Sequence, residues 1–222
     1  MTKLAKTQRF TRHTFGDSGA RSEKNIVSTN FAYTRTGKEV SAAATADVMA
    51  AIVAATGALT TIEGITNPDV PRALTVTAAG TAADIASGDV VVTGTNVEGK
   101  VITESFTFTA NTAATVTGAL AFRTITSVLT HAQDGAAATY SVGTSDKIGL
   151  NHRIPSGAVY KVLSAGASDF QSDGTVAQSS SLVESNTVIP DTAPDGTTAL
   201  TIYYTFQNWH VNPTNDNPAY GV

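Results

Sequence analysis

Residues 88–108, GDVVVTGTNVEGKVITESFTF, carry the clearest strand signal in the chain. Two runs dense in Val, Ile, Thr and Phe flank the segment Asn96 to Gly99, and polar, glycine-bearing punctuation between β-rich runs is the mark of a hairpin. In the second run Ile102, Phe106 and Phe108 fall on one face together with Glu104, while Thr103, Ser105 and Thr107 fall on the other. Glu104 therefore breaks an apolar row. The same stretch contains Gly94 to Lys100, GTNVEGK, which meets the G-x-x-x-x-G-K spacing of a phosphate-binding loop. Val101 stands where that loop needs a Ser or Thr for magnesium, and the residues after it read as a strand instead of the helix N-terminus that would hold phosphates. A hairpin turn is the expected structure.

Outward from this hairpin the pattern continues as short strands. Residues 64–72, GITNPDVPR, hold two prolines and form a connection; ALTVT follows as a strand. Phe122 to Leu129, Thr139 to Val142 and Ala158 to Leu163 are further expected strands, and ALTIYYTF alternates Leu200, Ile202, Tyr204 and Phe206 with Thr201, Tyr203 and Thr205. One face of that last strand must be buried. Residues 45–57, TADVMAAIVAATG, predict the one helix: Thr45 as N-cap, Asp47 in the first turn, a stripe of Val48, Met49, Ile52 and Val53, and Gly57 at the C-terminal end. Residues 165–181 and 190–198 are polar and turn-rich, so their backbone groups need water, as in surface loops. Many short strands, one helix and no strand–helix alternation predict a mainly β fold. It is expected as an antiparallel β-sandwich or barrel-like domain with one short helix and extended terminal arms.

The 222 residues are long enough for a core without metal or disulfide staples. Charged residues make up only 14%, and Ala and Thr together roughly a third, a composition too apolar for disorder and too rich in Thr for a coiled coil. There is no Cys, which excludes a disulfide framework, thiolate metal sites and a thiol nucleophile. No window approaches 18 uninterrupted apolar residues and no apolar stretch follows the first basic residues, so neither a membrane span nor a signal peptide is expected.

The net charge of −4 conceals a strong asymmetry. Residues 1–40 hold eight bases against three acids, a net of +5, whereas the remaining 182 residues hold six bases against 15 acids, a net of −9. The expected organisation is a basic N-terminal arm over 1–40, a β-rich body over 41–211 with its short helix near 45–57, and a C-terminal tail over 212–222. The arm interleaves cations with rings and shows no sustained period. Its partner-binding candidates are Lys3, Lys6, Arg9, Phe10, Arg12, Phe15, Arg21, Lys24, Phe31 and Tyr33. Such a mixture can neutralise phosphates and stack on bases. An acidic body would repel the same polyanion, so an acidic protein surface is the better partner and nucleic acid is not expected.

The remaining patterns point away from catalysis. DFQSDG at Asp169 to Gly174 resembles half of a calcium loop, but Gln171 is a poor third ligand and Ser180 stands where a bidentate Glu belongs. His13, His131, His152 and His210 lack the spacing that lets one element present two ligands to a metal. No G-x-S-x-G elbow occurs. Glu104, an acid on an apolar face, is the one carboxyl expected to titrate abnormally, in a structural or interface role. No catalytic residue, cofactor or metal is expected.

Residues 64–150 contain GITNPDVPRALTVT, GDVVVTGTNVEGKVITESFTF, ALAFRTITSVLT and YSVGTSDKIGL in that order. This block is similar to one in virion structural proteins of tailed bacteriophages, and it spans about two fifths of the chain. The resemblance implies a particle component without catalytic residues. Within that class, capsid decoration (cement) proteins are commonly small β domains whose arms lie across the shell. The resemblance thus implies a virion protein on the capsid surface, bound to the major capsid protein and to copies of itself as a homotrimer. A tail-tube, tail-spike or fibre component is the alternative. A carbohydrate-binding β domain is a third reading, for which Trp209 beside His210 is thin support.

Overall fold

The computed structural model describes residues 26–35, 40–53, 60–154, 159–164 and 175–209. The first strands in chain order are β1 (Ile26–Arg35), β2 (Ala44–Val53), β3 (Thr60–Ile62), β4 (Arg72–Gly80), β5 (Gly88–Thr95), β6 (Val101–Phe108) and β7 (Ala114–Phe122). They are followed by β8 (Thr124–Thr130), β9 (Ala138–Gly149), β10 (Val159–Ser164), β11 (Thr175–Ala177), β12 (Thr187–Ile189) and β13 (Leu200–Trp209). Among the described residues the only helical pieces are two three-residue 3-10 turns. The fold is mainly β and antiparallel, as expected.

Strands β5 and β6 pair without a break from Gly88 opposite Phe108 to Thr95 opposite Val101. Asn96 closes the turn: its backbone N–H donates to the Lys100 carbonyl at 2.9 Å, and its side-chain oxygen accepts from Glu98 N at 2.9 Å and Lys100 N at 3.0 Å. Gly99 supplies the left-handed residue, with φ of 80°. The phosphate-loop spacing thus belongs to a hairpin. With β8 and β3 these strands make a sheet in the order β3-β8-β5-β6.

A second sheet runs β11-β12-β9-β4-β7, with β2 also on β9. The main core lies between these two sheets: Leu74, Val76, Phe122, Tyr140 and Val142 from one, and Val90, Val92, Phe106, Phe108 and Val128 from the other. Phe108 meets Tyr140 edge-on, ring centroids 5.4 Å apart. A third sheet, β1-β13-β10, brings the buried Leu200, Ile202 and Tyr204 of β13 against Ile148, Leu150 and Val188 in a second core.

The two cores meet at a bend in β4. Its partner β7 carries two extra residues between the pairs Ala73–Ala121 and Thr75–Thr117, and its other partner β9 carries two extra between Arg72–Ile148 and Leu74–Thr144. Bulges on both sides at one height kink the sheet, so β9 serves the main core before the bend and the second core after it. Side chains lock the kink. Lys147 Nζ donates to the Gly118 carbonyl at 2.9 Å, Ser145 Oγ donates to the Ala73 carbonyl at 2.9 Å, and Arg72 Nε donates to the Ser145 carbonyl at 2.9 Å. Arg72 is wholly buried, and its Nη1 also reaches the Ser41 carbonyl at 2.9 Å and Asp69 Oδ1 at 3.1 Å.

The expected helix near 45–57 is instead strand β2 over Ala44–Val53; residues 54–57 lie outside the described residues. Its pairing with β9 slips between Ala44 and Met49 and again between Met49 and Ile52. Such slips can put neighbouring residues on one side, so Val48 and Met49 are both buried and the row 48, 49, 52 imitates helical spacing. Val53, the fourth member of the supposed stripe, is 61% exposed. Asp47 has no dipole to complement; its carboxylate accepts from Thr144 N at 2.8 Å and Thr144 Oγ1 at 2.6 Å.

Three other boundaries move. Phe122 to Leu129 is two strands meeting at Arg123, the strand expected over Thr139 to Val142 extends to Gly149, and the polar stretch 165–181 contains the short β11. The segment 26–35, read as part of an aperiodic arm, is strand β1, paired with β13 over ten consecutive positions from Ile26–Trp209 to Arg35–Leu200. That part of the arm belongs to the body's own sheet.

Candidate functional site

Eight of the ten partner-binding candidates, Lys3, Lys6, Arg9, Phe10, Arg12, Phe15, Arg21 and Lys24, lie outside the described residues, as do the calcium-like segment 169–174 and the tail 212–222. Phe31 and Tyr33 lie on β1, at positions opposite Tyr204 and Ile202 of β13. Because Ile26 pairs with Trp209, the chain enters β1 at the same end of the third sheet at which it leaves β13.

The cations of the body are largely engaged within it. Arg72 is buried on Asp69, Arg153 Nη2 meets Glu98 Oε2 at 2.8 Å, Arg123 Nη1 reaches the Val97 carbonyl at 3.4 Å, and Lys147 holds Gly118. Several acids stay at the surface: Asp89 receives the Thr107 hydroxyl at 2.7 Å, and Asp195 receives Thr198 Oγ1 at 2.6 Å together with the Thr197 and Thr198 amides. Those three donors, the Thr198 hydroxyl foremost, hold the Asp195 carboxyl below the usual carboxylate range. With 15 acids against six bases over residues 41–222, the body carries a net negative charge.

Glu104 has the abnormal environment expected of it. It reaches from β6 across to the bulge of β7, where Oε1 accepts from Ala119 N at 2.5 Å and Leu120 N at 3.3 Å. Burial pushes its carboxyl above the ordinary value, against the opposing pull of those two amides and of the Lys147 charge. Both oxygens face the backbone they stabilise, so the carboxylate joins the edges of two sheets. Glu184 is likewise buried and accepts from Asn96 Nδ2 at 3.0 Å.

The histidines are separate. His131 Nε2 lies 3.1 Å from the Ala86 carbonyl, and His152 Nδ1 lies 2.7 Å from the Tyr204 hydroxyl, where burial pushes its pKa below the ordinary value. Among the described residues no three His, Cys, Asp or Glu side chains cluster as metal ligands, and no helix is long and apolar enough to cross a membrane. A cleft of about 340 Å³ at the bend is lined by Ala43, Thr45, Thr75, Thr117, Asp146 and Lys147, with Lys147 already committed to Gly118.

Sequence reasoning missed Arg72, whose role depends on contacts far along the chain, and it missed the cross-strand threonine pairs on the sandwich surface. Thr95 and Thr124 hydroxyls lie 2.6 Å apart, Thr77 and Thr115 2.9 Å. Alternating Thr in neighbouring strands is the signal that would have found them. No protein-family model, curated protein or solved structure matches this chain.

Proposed function

We propose that this chain is a non-enzymatic structural protein of a tailed-bacteriophage virion, a capsid decoration protein that binds the major capsid protein lattice and stabilises the head. The supporting observation is the separation of charge. Residues 41–222 hold 15 acids against six bases, whereas residues 1–25 hold six bases against two acids and precede β1 at one end of the third sheet. A cationic segment leaving an anionic module is suited to fasten it to an acidic, repeating protein surface. Where several copies act together each fastening can be weak, because the first contact raises the local concentration for the next. The resemblance read in the sequence of residues 64–150 is the second ground for this reading.

The test is co-sedimentation of the full chain with heads of the phage that encodes it, with the copy number per particle. Binding that saturates at hundreds of copies and weakens with added salt supports the head assignment. Tens of copies confined to the tail would replace it with the tube or fibre reading.

A further inference from the structure

We propose that the cleft beside the turn between β5 and β6 is a carboxylate-binding site. Residues 41–222 hold only six bases, and three of them, Lys100, Arg123 and Arg153, gather at this one turn. Arg153 Nη2 is paired with Glu98 Oε2 at 2.8 Å. Lys100 and Arg123 form no ion pair among the described residues, and Arg123 Nη1 reaches the Val97 carbonyl over a long 3.4 Å. The two directly precede β6 and β8 on either side of β5, two strand spacings or about 10 Å apart. An acidic body thus keeps a small positive island.

Arg123 lines a cleft of about 410 Å³ together with Val97, Thr124, Asn151 and the segment from Pro68 to Pro71. Its walls are fixed. Asn67 Oδ1 accepts from Ile125 N at 2.9 Å, Gly149 N donates to the Pro71 carbonyl at 2.7 Å, and the two prolines lock their own φ angles. A ligand therefore meets a formed site, with little ordering left to oppose binding. The Thr124 hydroxyl is taken by Thr95 at 2.6 Å. Among the described residues, the side-chain donors that remain for a ligand are the Arg123 guanidinium and the Asn151 amide.

Those donors select the ligand class. A guanidinium presents a planar fork that matches the paired oxygens of a carboxylate or a phosphate. The fork and one amide satisfy the two oxygens of a carboxylate. A phosphate brings a third oxygen and more charge into a cleft that Asp69 also lines, where Arg72 faces Asp69 at 3.1 Å. The ligand is therefore a carboxylate, supplied by an Asp or Glu side chain of another protein or by a small free acid. The site stands apart from the head assignment, which turns on residues 1–25.

An NMR titration of the full chain tests this with N-acetyl-glutamate amide and its uncharged counterpart, N-acetyl-glutamine amide. The acid should shift the backbone signals of Val97, Thr124 and Asn151 saturably, and the uncharged probe should not. Arg123 is exposed, so Arg123→Gln should leave the circular dichroism unchanged while weakening binding about tenfold through loss of its charge-assisted bonds. Lys100→Gln removes the same charge outside the cleft and should weaken binding far less. Equal losses in the two variants, equal shifts by the two probes, or no saturation would overturn the proposal, as would inorganic phosphate binding more tightly than the acid. A chain of linked glutamates that binds more tightly than the same concentration of single residues, using Lys100 as a second contact, upholds the site with a protein surface as its ligand; equal binding upholds it with a free acid.

Discussion

Gly118 and Glu104 compete for one space: a Cβ built on Gly118 would lie 2.5 Å from Glu104 Oε2. The bare backbone at that bulge is what lets a carboxylate from the other sheet reach the Ala119 and Leu120 amides. Gly118→Ala should therefore displace Glu104 and leave those donors poorly paired, at a cost of about 1–3 kcal/mol. Urea unfolding measures it, as a lower midpoint with unchanged slope. In Glu104→Ala the same glycine substitution should cost much less, since the clash is gone.

The pH dependence of Glu104 follows from its raised pKa. The folded chain binds this proton at a pH where the unfolded chain has released it. This group's contribution to stability thus rises as pH falls through the folded value towards the ordinary 4.5 and is level below that. Glu104→Gln keeps an acceptor oxygen without a buried charge. It should be the more stable protein at neutral pH and lose that advantage in acid, as measured by urea midpoints across the range.

His152 acts in the opposite direction. Burial lowers its folded pKa below the ordinary 6.5, so the unfolded chain takes up the proton first and stability falls as pH drops below about 6.5 and through the folded value. Comparing His152→Phe with the parent chain isolates the effect. The parent should lose more stability between neutral and mildly acidic pH than the variant does, and equal losses would refute the assignment.

Arg72 fastens the bend, the segment at Ser41 and the Asp69 turn at once. Arg72→Ala should cost about 3–5 kcal/mol, because it leaves the buried Ser145 carbonyl without its donor and the Asp69 and Asp146 carboxylates without their facing charge. Arg72→Met fills the volume but restores no donor, and should recover only part of the loss in thermal unfolding.

What could be read from the sequence was set by how regular each strand is. The 88–108 hairpin has unbroken alternation and a turn residue that caps itself, so local pattern suffices. Strand β2 does not, because its register slips twice and its short alanines follow no period; its conformation is imposed by β9, some ninety residues on. In β1 the alternation of Val27, Thr29, Phe31 and Tyr33 with Ser28, Asn30, Ala32 and Thr34 is present, but it lies among the cations that mark the arm. Glu104 was visible as a break in an apolar row. The bulge it serves was not, since that arises only when β7 meets β4.

The position of β1 divides the N-terminal segment into two parts with different consequences. Removing residues 1–40 takes away a strand that pairs with β13 at ten positions, and should destabilise the second core. Removing residues 1–25 leaves that pairing in place, and the thermal transition should stay close to that of the full chain.

Head binding by the chain lacking residues 1–25 is the most direct test of the cationic fastening. The truncated protein should keep the circular dichroism of the full chain and remain in the supernatant when heads are sedimented, while the full chain pellets with them at low salt. Truncated protein that pellets as completely as the full chain would place the attachment elsewhere and contradict the account.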